Sequence, residues 1–107
     1  MATIVWHKKA KQEFRNYVEN ARIEFGMSTA RSWQEQRKEI EWRLVRYPSS
    51  YTPEPLLGDM DILYRSCQIM HRRFKIIYTY DEISDVVHVM DIWDTRMNPK
   101  ALIKRIK

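Results

Sequence analysis

Two glycines and one cysteine in 107 residues set the first limits. With Gly26 and Gly58 alone, there is no glycine-rich loop to cradle nucleotide phosphates. Nor is there a G-x-S-x-G turn to expose a serine nucleophile. A single Cys67 excludes an internal disulfide and any multi-cysteine zinc site, and its place inside the apolar run "ILYRSCQIM" marks it as a buried thiol. Nowhere does the chain offer the roughly 20 apolar residues that span a bilayer. The opening "MATIVWHKKAKQEF" meets charge too early for a secretory signal or a membrane anchor. The expected location is the reducing cytoplasm, away from membranes. His7 and His71 have no companion at metal-ligand spacing, so neither a metal nor a cofactor is expected.

What the chain does have is apolar material and positive charge. It is 44% hydrophobic and 12% aromatic, enough for the core of one domain spanning 1–107. Nineteen Lys and Arg against fourteen Asp and Glu leave a formal charge of +5. That excess suits an anionic partner such as nucleic acid or an acidic protein, and it equally suits plain solubility.

The apolar period organises the rest. "TIVWH" reads as a short strand. From Lys8, residues Ala10, Phe14, Tyr17, Val18, Ala21 and Phe25 recur at helical spacing until Gly26 breaks the run. Ala30, Trp33, Ile40, Leu44 and Tyr47 continue at the same spacing, with Ser28 or Thr29 expected as the cap and Pro48 as the end. Two helices joined by so short a break fold back as an antiparallel hairpin. "YPSSYTPEPLLGDMD" is a proline-rich connector expected to lay Tyr51, Leu56 and Leu57 over the core. "ILYRSCQIM", "RFKIIYTY" and "VVHVMDIW" are strand-like, with "DEISD" turning between the last two. The order β-α-α-β-β-β predicts an α+β fold: an antiparallel meander with the helical hairpin on one face, the other face open, and the first strand at an edge or beside the last.

Alternation in "RRFKIIYTY" puts Phe74, Ile76, Tyr78 and Tyr80 under the helices and Arg73 and Lys75 on the open face. There Arg65 and Arg96 are expected to join them. Such a cluster either solvates the sheet or grips phosphates and carboxylates through guanidinium forks. Cleaving RNA through its own 2′-hydroxyl would further require a proton acceptor, for which His88, His71, Tyr78 and Tyr80 are the candidates. His88 lies inside an apolar strand, where a core role is the commoner one. Asp91 and Asp94 flank Trp93 at a strand end, and a capping or salt-bridging role suits them better than a metal pair.

The succession of a short strand ending in an aromatic, two helices around a glycine break, "RYPSSY", "RFKIIY" and the closing "DIWDTRMNP" resembles the RelE/ParE superfamily of type II toxins over residues 3–99. Tyr47-Pro48, Phe74-Lys75-Ile76-Ile77-Tyr78 and the trio Arg96, Asn98 and Pro99 carry the likeness. The resemblance implies a plasmid-stabilisation type toxin neutralised by a cognate antitoxin, with operator DNA contacted only through their complex. Its target would be DNA gyrase in the ParE branch, or messenger RNA on the ribosome in the RNA-cleaving branch. In the latter, Lys75, Arg65 and Arg96 would supply the catalytic cations. In either branch Arg65, Arg73, Lys75, Arg96 and Asp94 are the expected binding residues. Asp94 stands where the family often has His, and nothing after Trp93 supplies a His or Tyr, which points toward ParE-like behaviour. An inactive member that only pairs with a partner is the third possibility.

Overall fold

A computed structural model describes residues 1–106. Strand β1 (Thr3–Trp6) leads into helix α1 (Lys8–Phe25) and helix α2 (Met27–Arg46). A single 3-10 turn at Pro55–Leu57 precedes β2 (Arg65–Ile69), β3 (Phe74–Asp81) and β4 (Val86–Asp94), and helix α3 (Pro99–Ile106) closes the described chain. The strand order is β1-β4-β3-β2, with β2, β3 and β4 antiparallel and β1 parallel to β4. The α+β meander and the hairpin stand as the sequence predicts. Among the described residues no helix is long and apolar enough to cross a membrane.

Gly26 has φ +97, a conformation in which other residues are strained, and it reverses the chain in one step. Helix α2 therefore begins at Met27 with Gly26 as its N-cap. Ser28 and Thr29, expected as caps, lie within the first turn instead. The hairpin packs on one side of the sheet through a core that includes Phe14, Trp33, Leu44, Ile76, Tyr78 and Val89. Trp33 meets Phe74 at 4.9 Å and Phe14 at 5.8 Å between ring centroids. Phe25 and Tyr47, at the ends of their apolar stripes, are left exposed.

The second sheet face is not open, which corrects the sequence expectation. Leu57, Tyr64, Ile77, Trp93 and Leu102 form a second buried cluster there, under the proline-rich connector and α3. Each fully buried side chain of that size contributes about 1.5–3 kcal/mol. The connector also shields the outer edge of β2. Ser66 N–H donates to the Thr52 carbonyl at 3.2 Å, and Glu54 N–H donates to that of Tyr64 at 2.8 Å. Between β3 and β4 the register slips at Ile77/Tyr78: Ile77 stands opposite Asp91 and Tyr78 opposite Val89, leaving Met90 as the extra residue.

Candidate functional site

Directly paired residues on neighbouring strands share a sheet face. Arg65 is opposite Tyr78 and in line with Cys67 and Ile69, on the helix-covered side. Lys75 is opposite Trp93, on the side covered by the connector and α3. The two cations expected to act together are thus separated by the sheet. Lys75 is further committed: its Nζ lies 2.6 and 3.0 Å from the two carboxylate oxygens of Glu54, which also accepts from Ser66 Oγ at 3.0 Å. Glu54 is 1% exposed. No periodicity marks it in "TPEPLL", and the unbroken burial of Ile76, Ile77 and Tyr78 is the signal that both faces would be covered.

The other three expected residues do converge. Where the helical hairpin reaches the start of β3 and the end of β4, a groove of about 400 Å³ opens. Tyr17, Trp33 and Phe74 line it, Phe25 stands at its side, and His71, Arg73, Asp94 and Arg96 also line it. Tyr17 stacks parallel to Trp33 at 5.7 Å and tilts against Phe74 at 4.6 Å, making an aromatic wall. The β2–β3 turn is fixed beside it by Met70, whose N–H donates to Gln36 Oε1 at 2.7 Å, and it carries Met70, His71 and Arg72 at positive φ.

The electrostatics favour gripping over proton transfer. Hydrogen bonds from the Arg96 guanidinium and backbone hold the Asp94 carboxyl below its ordinary range. Burial, reinforced by Glu13 and Asp94, pushes the Tyr17 phenol up, so at neutral pH it is a donor. Two guanidiniums and a phenol offer N–H and O–H groups to an anionic or carbonyl-bearing guest above an apolar floor.

The remaining candidates have structural partners. Tyr78 is fully buried, its hydroxyl donates to the Pro48 carbonyl at 2.9 Å, and burial pushes its pKa up. Tyr80 donates to Asp85 at 2.6 Å. His88 is not isolated: its Nδ1 lies 3.0 Å from Nε2 of His7, which the parallel pairing of β1 with β4 brings alongside. Among the described residues no group of three His, Cys, Asp or Glu side chains gathers at metal-binding distance. Asp91 is fully buried, bonded to Arg105 at 2.8 Å with Lys9 at 3.8 Å, and burial raises its pKa against the pull of both cations. It anchors α3 to the sheet, and Asp91 and Asp94 form no pair.

Three comparisons bear on this arrangement. The fold matches a chromosomal ParDE toxin-antitoxin system from P. aeruginosa with TM-score 0.68 at 13% identity, over 88% of this chain and 96% of that one. It matches the isolated E. coli RelE toxin with TM-score 0.62 at 16% identity over the whole of both chains. The intact E. coli RelBE toxin-antitoxin complex gives 0.61 at 15% identity, over 89% and 98%. At such identities the likeness concerns the fold. No curated protein matches the chain. The family model described as the ParE toxin of the type II toxin-antitoxin system parDE matches residues 4–99, nearly the whole sequence, and the chain therefore belongs to the ParE toxin family.

Proposed function

We propose that this protein is a ParE-like toxin that arrests growth by binding an essential target, DNA gyrase, and is neutralised by a cognate antitoxin. The carrying observation is the separation of Lys75 from Arg65 by the sheet, with the charge of Lys75 already met by buried Glu54. Cleavage of RNA needs cations converging on one phosphate together with a proton acceptor, and these two residues cannot share one. Binding a protein needs only a shaped, charged surface, and the groove of Tyr17, Arg73, Asp94 and Arg96 offers one to the antitoxin. In this reading the antitoxin lays an acidic, partly apolar segment into that groove, and operator DNA is reached only through the complex. The toxin acts in the cytoplasm, where its target resides.

Purified protein at micromolar excess is expected to inhibit gyrase supercoiling, and addition of the antitoxin is expected to relieve the inhibition. Absence of inhibition removes the gyrase reading. The RelE-like alternative draws on the Arg73–Arg96 side of the groove. It requires new 5′ ends on translated messages by primer extension, abolished by Arg96→Ala.

A further inference from the structure

Arg37, Lys75, Arg96 and Arg105 each face a carboxylate. Three arginines near the C-terminal end of α2 do not: Arg43 and Arg46 on the helix and Arg65 on β2, beside the exposed ring of Trp42 and the half-buried ring of Tyr51. The Arg46 guanidinium lies 4.2 Å from the ring centroid of Trp42, and its Nη1 donates to the Trp42 carbonyl at 3.2 Å. The Arg43 guanidinium lies 4.2 Å from the Tyr51 ring, with Nε donating to Ser50 Oγ at 2.8 Å. Arg65, from β2, donates to the Tyr51 carbonyl at 2.6 Å. Among the described residues none of the three forms an ion pair, while Trp42 is 56% and Tyr47 60% exposed.

Exposed Trp and Tyr beside Arg is the composition of residues that dominate binding energy at protein interfaces. Holding two arginines against rings and the Ser50 hydroxyl also removes rotamer freedom that binding would otherwise have to remove. Trp42 follows Trp33, which borders the antitoxin groove, by roughly 14 Å along the helix axis. The two surfaces are therefore distinct.

We infer that Trp42, Arg43, Arg46 and Tyr47, with Arg65 behind them, form the surface that engages the toxin's cellular target, and that the target presents an acidic protein surface around an apolar centre. Uncancelled guanidinium forks call for carboxylates. A stacked nucleobase fits less well, because the Trp42 and Tyr51 rings each already carry a guanidinium. The inference rests on the toxin reading above and adds to it a target surface separate from the antitoxin groove.

The test compares wild type with Trp42→Ala and Arg46→Glu, both at exposed positions, and with Ile83→Ala as a control at a fully exposed turn residue. Each chain is induced in a host and scored for growth arrest. Purified chains are melted, titrated with antitoxin, and assayed on gyrase. Both patch variants are expected to lose arrest and gyrase inhibition at least tenfold, while melting as wild type does and binding antitoxin within threefold; Ile83→Ala behaves as wild type. Full arrest by the patch variants overturns the inference. So does a parallel loss of antitoxin binding, which would make the patch the antitoxin's, or binding of a single-stranded RNA oligonucleotide that the variants abolish. Wild-type arrest without supercoiling inhibition removes gyrase alone, and the patch is then judged on arrest.

Discussion

Substituting Lys75 is expected to damage folding before it damages function. Glu54 is 1% exposed and its carboxylate meets the Lys75 ammonium at 2.6 Å, so Lys75→Ala leaves a fully buried negative charge with only the Ser66 hydroxyl for company. Breaking a buried pair from one side costs about 3–5 kcal/mol. For a domain of this length that lowers Tm by roughly 12–20 °C and takes a third or more of a typical total stability. Glu54→Gln is milder, at about 1–3 kcal/mol, because the amide still accepts from Ser66 and the Lys75 side chain, 23% exposed, can turn its charge to water. The double variant Glu54→Gln/Lys75→Met removes both charges and keeps the volume, so it is expected to exceed Lys75→Ala in stability and approach wild type. Urea denaturation of the four proteins measures this order. Lys75→Ala within about 0.5 kcal/mol of wild type, or a double variant less stable than either single one, refutes the reasoning. Growth arrest restored in the double variant would identify neutralisation of Glu54, not contact with substrate, as the role of Lys75.

Further outcomes follow from other sites. Burial pushes the Cys67 thiol up to about 12, so a thiol reagent at pH 8 modifies it only as fast as the protein unfolds; immediate stoichiometric labelling of the native chain contradicts the packing. Leu102 is fully buried between α3 and the second cluster, and Leu102→Ala costs about 2–5 kcal/mol by urea denaturation, whereas a negligible loss would mean that α3 is not docked. Asp94 titrates below its unfolded value of 3.8, so it stabilises the fold above that pH and the contribution is lost as pH falls through the native value. Arg96→Gln is therefore expected to be slightly less stable than wild type at pH 6, because Arg96 is largely exposed, with the difference shrinking below pH 3.8. A difference that grows on acidification has the wrong sign for this pair.

The helices and their faces were legible because one covered face leaves a clean three-and-four spacing, as Ala10, Phe14 and Ala21 show. The sheet was half legible. Strand existence follows from residue type and the meander from short turns, but simple alternation leaves the second face open, whereas β3 carries three buried residues in succession, Ile76, Ile77 and Tyr78. Such a run is what a strand covered on both sides requires, and the amphipathic stretch "KALIKRIK" supplies part of the cover. Arg65 departs from its expected place for a related reason. It shares parity with Cys67 and Ile69, both buried, so alternation within β2 already assigned it to the helix side. Other contacts carry no sequence signal: Glu54 reaches Lys75 across 21 positions from an aperiodic loop, and His7 meets His88 across 81 through a parallel pairing that the strand order alone leaves open.

The same geometry explains why the expected cationic site divides into two. An arginine at the helix side of β2 falls among Tyr51, Tyr78 and the end of α2, whereas arginines beyond the ends of β3 and β4 fall beside the hairpin tip. Because α2 spans 20 residues, roughly 30 Å, charges drawn to its two ends are too far apart to hold one phosphate and far enough apart to hold two proteins. On the proposed function, a toxin silenced by one partner and recognising another would gain from that spacing. With the antitoxin in the groove at Arg73 and Arg96, as proposed above, Trp42 and Arg46 stay uncovered unless its chain continues along α2. Complexes with antitoxin truncated just beyond the groove should therefore still bind the target through the patch, and pull-down of that target by the complex distinguishes occlusion along α2 from closure of the groove alone.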